Sequence, residues 1–329
     1  MSQFRSDLSR QDSTMSTFID HHIVARKVQF DFSQTPRHWV PNDVLTTHVL
    51  NSMHVLLPAV EHWFCRLANK TLPYVEDKNL KADIRGFIAQ EAAHANAHKG
   101  AEIYFQTHGI DPTPFKDFLN WFFKDGFMGD TPFGIYGPFK RYPKQWLAFR
   151  MGIIAGLEHY FCFFGTWALD AEGLEGADPA MLDIVRWHGA EEVEHRTVGY
   201  DAYRALAGDG VKGYLGRQLS MGFAFAAMVG FWLGSTVYLC HLDGTKEAQK
   251  IAKKNPLALV WLFQKTAKKK KSLPDLGMIL TALKGWSKLS YHPEHDGDVE
   301  KALAYLAQSP AAQLAAEAYA KALSSKMKS

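Results

Sequence analysis

Residues 90–98 read QEAAHANAH, and residues 187–195 read WHGAEEVEH. Each stretch holds a Glu-x-x-His motif, Glu91 with His94 and Glu192 with His195. Residues three apart on a helix lie on one face, a turn along, so each pair can offer a carboxylate and an imidazole to one metal ion. Working outward, each motif is preceded by a further glutamate in an apolar run. Glu61 follows VLLPAV and lies 30 residues before Glu91; Glu158 follows IIAGL and lies 34 residues before Glu192. That separation suits two antiparallel helices joined by a turn. The chain therefore reads as one half-site repeated: Glu, then Glu-x-x-His, twice.

A carboxylate in such apolar surroundings is costly unless paired or metal-bound. Four of them converging without cations would repel. Two divalent ions offset four negative charges, and the carboxylate and imidazole donors suit iron first, with manganese or zinc as alternatives. The predicted metal ligands are Glu61, Glu91, His94, Glu158, Glu192 and His195. A single Glu-x-x-His on a surface helix carries little weight; the duplicated pattern with its two preceding glutamates carries the reading.

Several neighbours stay open. Glu191 lies four before His195 and rivals Glu192 as a ligand; it is also a candidate general base, as is His98, which, four beyond His94 on the same face, could instead be an extra ligand or a core histidine behind the ligands. His188, seven before His195, is an alternative ligand on the same face. His54 reads as a residue behind the ligands. Ligating histidines usually pass their other N–H to a carboxylate or carbonyl, and Asp201, Glu102 and Glu194 are the candidates by position. Tyr104, Tyr160 and Trp187 read as core aromatics.

The helical pattern around these motifs gives the fold. A first helix starts at Asn42 or Asp43 and runs to about Asn69, with Pro58 expected to kink it. A second spans 79–107, with Gly109 ending it. Residues 110–144 are rich in Pro, Gly and aromatics, with room for one short helix at 114–124. A third helix spans 145–171 and a fourth 179–207, with Pro179 in its first turn. Two helices, a long crossover and two more helices predict an all-α, ferritin-like four-helix bundle with one long crossover, plus extra C-terminal helices. The expected organisation is a flexible tail at 1–20, a dimetal bundle at 21–212, an apolar helix and helical extension at 213–295, and a C-terminal helix with a polar tail at 296–329. Residues 21–40 read as an extended arm or short strand.

Residues 221–240, MGFAFAAMVGFWLGSTVYLC, contain no charge. Twenty residues just span a bilayer as a helix. The segment reads either as a buried fifth helix or as a membrane contact, the latter with Lys268–Lys271 near anionic headgroups. The tail lacks an apolar core of the secretory kind, and the three cysteines, Cys65, Cys162 and Cys240, form no CxxC pair. Both points fit a cytoplasmic protein, attached in the second reading to the inner face of the cytoplasmic membrane. A net charge of +3 is too near balance for nucleic acid binding.

The chain resembles ferritin-like dimetal carboxylate proteins and, more closely, the bacterial family described as predicted metal-dependent hydrolases. The likeness spans roughly residues 25–295. It rests on PAVEHWF around Glu61, QEAAHANAH, GLEHYF around Glu158, WHGAEEVEHR and the later Tyr291-His292-Pro293. Three activities compete at such a site. Oxygen activation on a small hydrophobic or lipid-like substrate, with an electron donor, is the reading the helical Glu/Glu-x-x-His duplicate favours. Hydrolysis by a metal-activated water is the alternative. Iron storage fits least, since about 120 residues follow the fourth helix.

Overall fold

The first helix begins where Asp43 caps it. The Asp43 carboxylate accepts from the Thr46 N–H at 3.1 Å and ties in Thr46 and Ser272 through their hydroxyls, which satisfies donors that a helix start otherwise leaves orphaned. The computed structural model describes residues 23–326. It is all-α, with no strand among the described residues. The four long helices of the bundle are α1 (Val44–Thr71), α2 (Lys78–Lys99), α6 (Pro143–Leu169) and α7 (Pro179–His195). Between α2 and α6 lie α3 (Glu102–Thr107), α4 (Thr113–Lys124) and α5 (Gly137–Arg141). After α7 come α8 (Val198–Ala207), α9 (Val211–Asp243), α10 (Lys246–Ala252), α11 (Pro256–Lys270), α12 (Leu276–Trp286), α13 (Val299–Gln308) and α14 (Pro310–Lys326).

One expectation changes. The helix expected at 79–107 breaks at Gly100 into α2 and α3, and that at 179–207 breaks at Arg196–Thr197 into α7 and α8. Pro58 lies inside α1, which is continuous from Val44 to Thr71. The arm from residue 23 forms neither helix nor strand, turns at 33–34 and 41–42, and is pinned by side chains. Arg37 donates to the His108 and Asp243 carbonyls, and His38 and His48 both meet the Asp243 carboxylate. The tail expected at 1–20 lies outside the described residues.

Packing follows the capped, apolar helices. α1 packs along α2, and α6 along α7, α8 and α9. At the α6–α7 crossing the backbones nearly touch: a Cβ on Gly165 would sit 2.2 Å from the Gly189 carbonyl oxygen. Only glycine permits that approach, and it draws together the faces that carry Glu158 and Glu192. One apolar core runs from Val28 through the bundle to Ala312. Among the described residues, two helices are long and apolar enough to cross a membrane. For α6 the apolar window is 78% buried by protein; for α9 it is only 33% buried.

Candidate metal centre

All of Glu61, Glu91, His94, Glu158, Glu192 and His195 face one another at the centre of the bundle, each 2% exposed or less. Helical spacing puts them there: Glu61 on α1, Glu91 and His94 on α2, Glu158 on α6, Glu192 and His195 on α7. His195 lies 3.4 Å from Glu91 and 3.7 Å from Glu192 through Nε2, while its Nδ1 meets Glu158 at 2.8 Å. His94 turns Nδ1 toward Glu91 at 3.9 Å and Glu192 at 3.8 Å. Ligand atoms of Glu91, His94, Glu192 and His195 lie within 4.8 Å of one another, and those of Glu61, His94 and His188 form a second such group.

The donor set fits metal ions. Both oxygens of Glu61 and of Glu91, one oxygen each of Glu158 and Glu192, Nδ1 of His94 and Nε2 of His195 are buried with no hydrogen-bond partner. Unpartnered buried carboxylate oxygens are expensive, and here they gather in one place. The electrostatics say the same. Burial first, and then the charges of Glu192 and Glu158, hold Glu61 and Glu91 well above the usual carboxylate range. Burial and Glu192 push Glu158 to about 7. Burial alone would lower His195, but Glu158 and Glu192 outweigh it and hold the imidazole at about 9. Burial, then the charges of His188 and His195, keeps His94 well below its ordinary value. Cations at this spot relieve the crowding of carboxylates.

Glu191 takes a different place from the one its spacing suggested. One of its oxygens meets His94 Nε2 at 2.9 Å and the other accepts from Arg26 at 2.9 Å. Both oxygens are thus engaged, and Glu191 holds the back of His94 and fixes its ring. Burial pushes it to about 8 in spite of Arg26. Arg26 also binds Glu194, which accepts from Gln90. His98 is likewise set back. Its Nε2 meets His188 Nδ1 at 2.6 Å and its Nδ1 meets His54 Nδ1 at 3.0 Å. Its contacts among the described residues are to these two imidazoles, and it reaches the cluster through His188. His188 does enter the cluster, with Nε2 2.5 Å from Glu192 and 3.6 Å from Glu61.

Of the expected hydrogen-bond acceptors behind the ligands, none bonds a site histidine. Glu102 pairs with Lys116, Asp201 with His292, and Glu194 with Arg26. Tyr104 serves Asn51 and the Arg37 carbonyl. Trp187 stands edge-on to His94, ring centroids 5.2 Å apart, and Tyr160 packs against His159 and Phe225. Sequence reasoning missed Arg26, which lies in the arm with no periodicity to mark it. His188 carried a weak signal, being four residues before Glu192 and so on its face.

A cavity of about 170 Å³ ends on this cluster. His188 and Glu192 form its inner wall, and apart from Thr236 the rest is apolar, including Leu57, Phe161, Phe225 and Met228.

No curated protein and no solved structure matches the chain. The sequence does match a family model described as predicted metal-dependent hydrolase, over residues 24–297. That span takes in the whole cluster, and with it the chain belongs to the predicted metal-dependent hydrolase family.

Proposed function

We propose that this chain is a dimetal hydrolase acting on a substrate with a long apolar portion. The observation that carries the reading is the apolar cavity that ends on His188 and Glu192. Glu61, His94 and His188 would hold one ion, and Glu91, Glu158, Glu192 and His195 the other. Ions so held lower the pKa of water and polarise a carbonyl or phosphoryl oxygen. The protein's own share is positioning. The apolar wall binds the substrate's chain and excludes water, Glu191 with Arg26 keeps His94 in one orientation, and His188 faces the scissile group. The line His188, His98, His54 offers a proton a route away from the cavity end.

Each methylene buried in such a wall contributes about 0.8 kcal/mol. Aliphatic esters of increasing acyl length test this with the metal-loaded protein. We expect kcat/KM to climb with chain length until the cavity is full, and to vanish in Glu192→Ala. Flat dependence on chain length would remove the apolar-substrate reading.

A second reading, oxygen activation with an external electron donor, is supported by one feature: two Glu/Glu-x-x-His half-sites on four bundled helices. The family description supports hydrolysis over it. Adding oxygen to the anaerobic ferrous protein separates them. Hydrolysis expects no oxygen uptake coupled to substrate loss; stoichiometric uptake would favour the second reading.

A further inference from the structure

α9 and α11, which meet α10 in a small apolar cluster, present apolar residues at outward positions. No charge occurs from 221 to 240, and the outward positions Gly222, Ala226, Gly230 and Gly234 recur every four residues. A Cβ on any of the three glycines would meet nothing within 4 Å. On α11, Leu257 is 84% and Trp261 61% exposed. Leu257, Trp261, Lys265 and Lys268 lie at i, i+4, i+8 and i+11, so they share one face of α11. The Lys265 ammonium sits 4.8 Å from the centre of the Trp261 ring. Lys253, Lys254, Lys268 and Lys269 make no ion pair among the described residues.

This face borders the cavity. The partly exposed members of the cavity wall include Val229 and Leu233 of α9, Val260 and Phe263 of α11 and Leu276 of α12, besides Met53 of α1, Phe164 and Trp167 of α6 and Phe225 and Trp232 of α9. Leu257 and Val260 are three apart, so the exposed strip continues into the wall. On α12, Leu280 is 56% exposed and lies one turn beyond Leu276.

We propose that this face docks the protein on an anionic lipid bilayer, with the cavity mouth turned to the lipid. Unpaired lysines flanking a tryptophan and exposed aliphatic side chains match the chemistry of such a surface: headgroup phosphates for the ammonium groups, acyl chains for Leu257, and the boundary between them for Trp261. A substrate with an acyl chain then passes from bilayer to cavity without crossing water. The delivery step rests on the apolar-substrate reading above; the docking itself does not.

Flotation of the full chain with phosphatidylcholine vesicles, with and without phosphatidylglycerol, tests it. Binding is expected to the phosphatidylglycerol vesicles and to weaken with salt. Each lysine near such a surface contributes about fivefold, so K268Q with K269Q lowers binding on the order of twentyfold. L257D and W261D, both at exposed positions, also weaken it, while thermal melts confirm that each variant folds. No binding to either vesicle overturns the proposal, as does binding that none of these variants changes. A dimer that W261D converts to a monomer, with no vesicle binding, assigns the face to a second copy of the chain instead. Vesicle binding with no ester turnover faults the hydrolase reading and leaves the docking face standing.

Discussion

The two half-sites are alike in sequence and unlike in space. The α1–α2 half offers Glu61, Glu91 and His94; the α6–α7 half offers Glu158, Glu192 and His195. Around His94 the structure adds imidazoles and an anchored carboxylate: His188 beside Glu61, His98 and His54 in line behind it, and Glu191 held by Arg26. Around His195 it adds a direct contact to Glu158, with Phe87 packed on the ring at 5.0 Å. One half is rich in nitrogen and braced from the arm; the other depends on its own carboxylate. A repeated motif therefore does not imply two equal metal sites, because residues outside the motif decide each one's surroundings.

The difference can be broken deliberately. Glu158→Ala should have the largest effect. It removes the α6 half's own carboxylate and leaves His195 Nδ1 without its partner. The expected result is loss of one ion, with turnover falling on the order of a thousandfold, since a catalytic ion supplies several kcal/mol. His188→Ala strikes the other half. Metal analysis should show the ion near Glu61 weakened or lost while the one near His195 is kept. Equal loss of both ions in each variant would mean the halves act as one unit.

Arg26→Met is milder. It frees Glu191 and loosens His94, and partners of this kind are worth ten- to a hundredfold in metal affinity. Titration of the metal-free variant should show that drop for one ion only. The smallest effect is in pH dependence. Without metal, the raised carboxyls of Glu158, at about 7, and Glu191, at about 8, stabilise the fold below their ordinary 4.5, and this is lost as pH climbs through those values. His195 at about 9 adds to the same alkaline loss. His54, lowered to about 3 by burial, then by the charges of Lys116 and His188, acts oppositely, as do the lowered His94 and His98. Their contribution is present above 6.5 and lost as pH falls. Thermal melts of the chelated protein should thus peak between about 4.5 and 6.5. Added metal should lift the alkaline side most, because its ligands must be deprotonated.

Much of this was legible in the chain. Helical spacing fixed which face Glu91, His94, Glu192 and His195 share, and Asp43, Pro179 and Gly109 marked helix ends. The breaks at Gly100 and Arg196–Thr197 were not legible, because apolar spacing continues across both. Nor was the role of Glu191. Both it and Glu192 suit a helix facing the core, and only the arm's Arg26, 165 residues away, tells them apart. The cavity was hidden too, since its wall draws on α1, α6, α7, α9, α11 and α12 at once.

The buried cluster is expected to hold a pair of metal ions. Metal analysis of the purified protein, beside Glu91→Ala and Glu192→Ala, puts this to the test. About two ions per chain are expected, with loss in both variants while helical content is kept. Protein that takes up no metal from excess iron, manganese or zinc, or variants that bind as well as the unaltered chain, would contradict it.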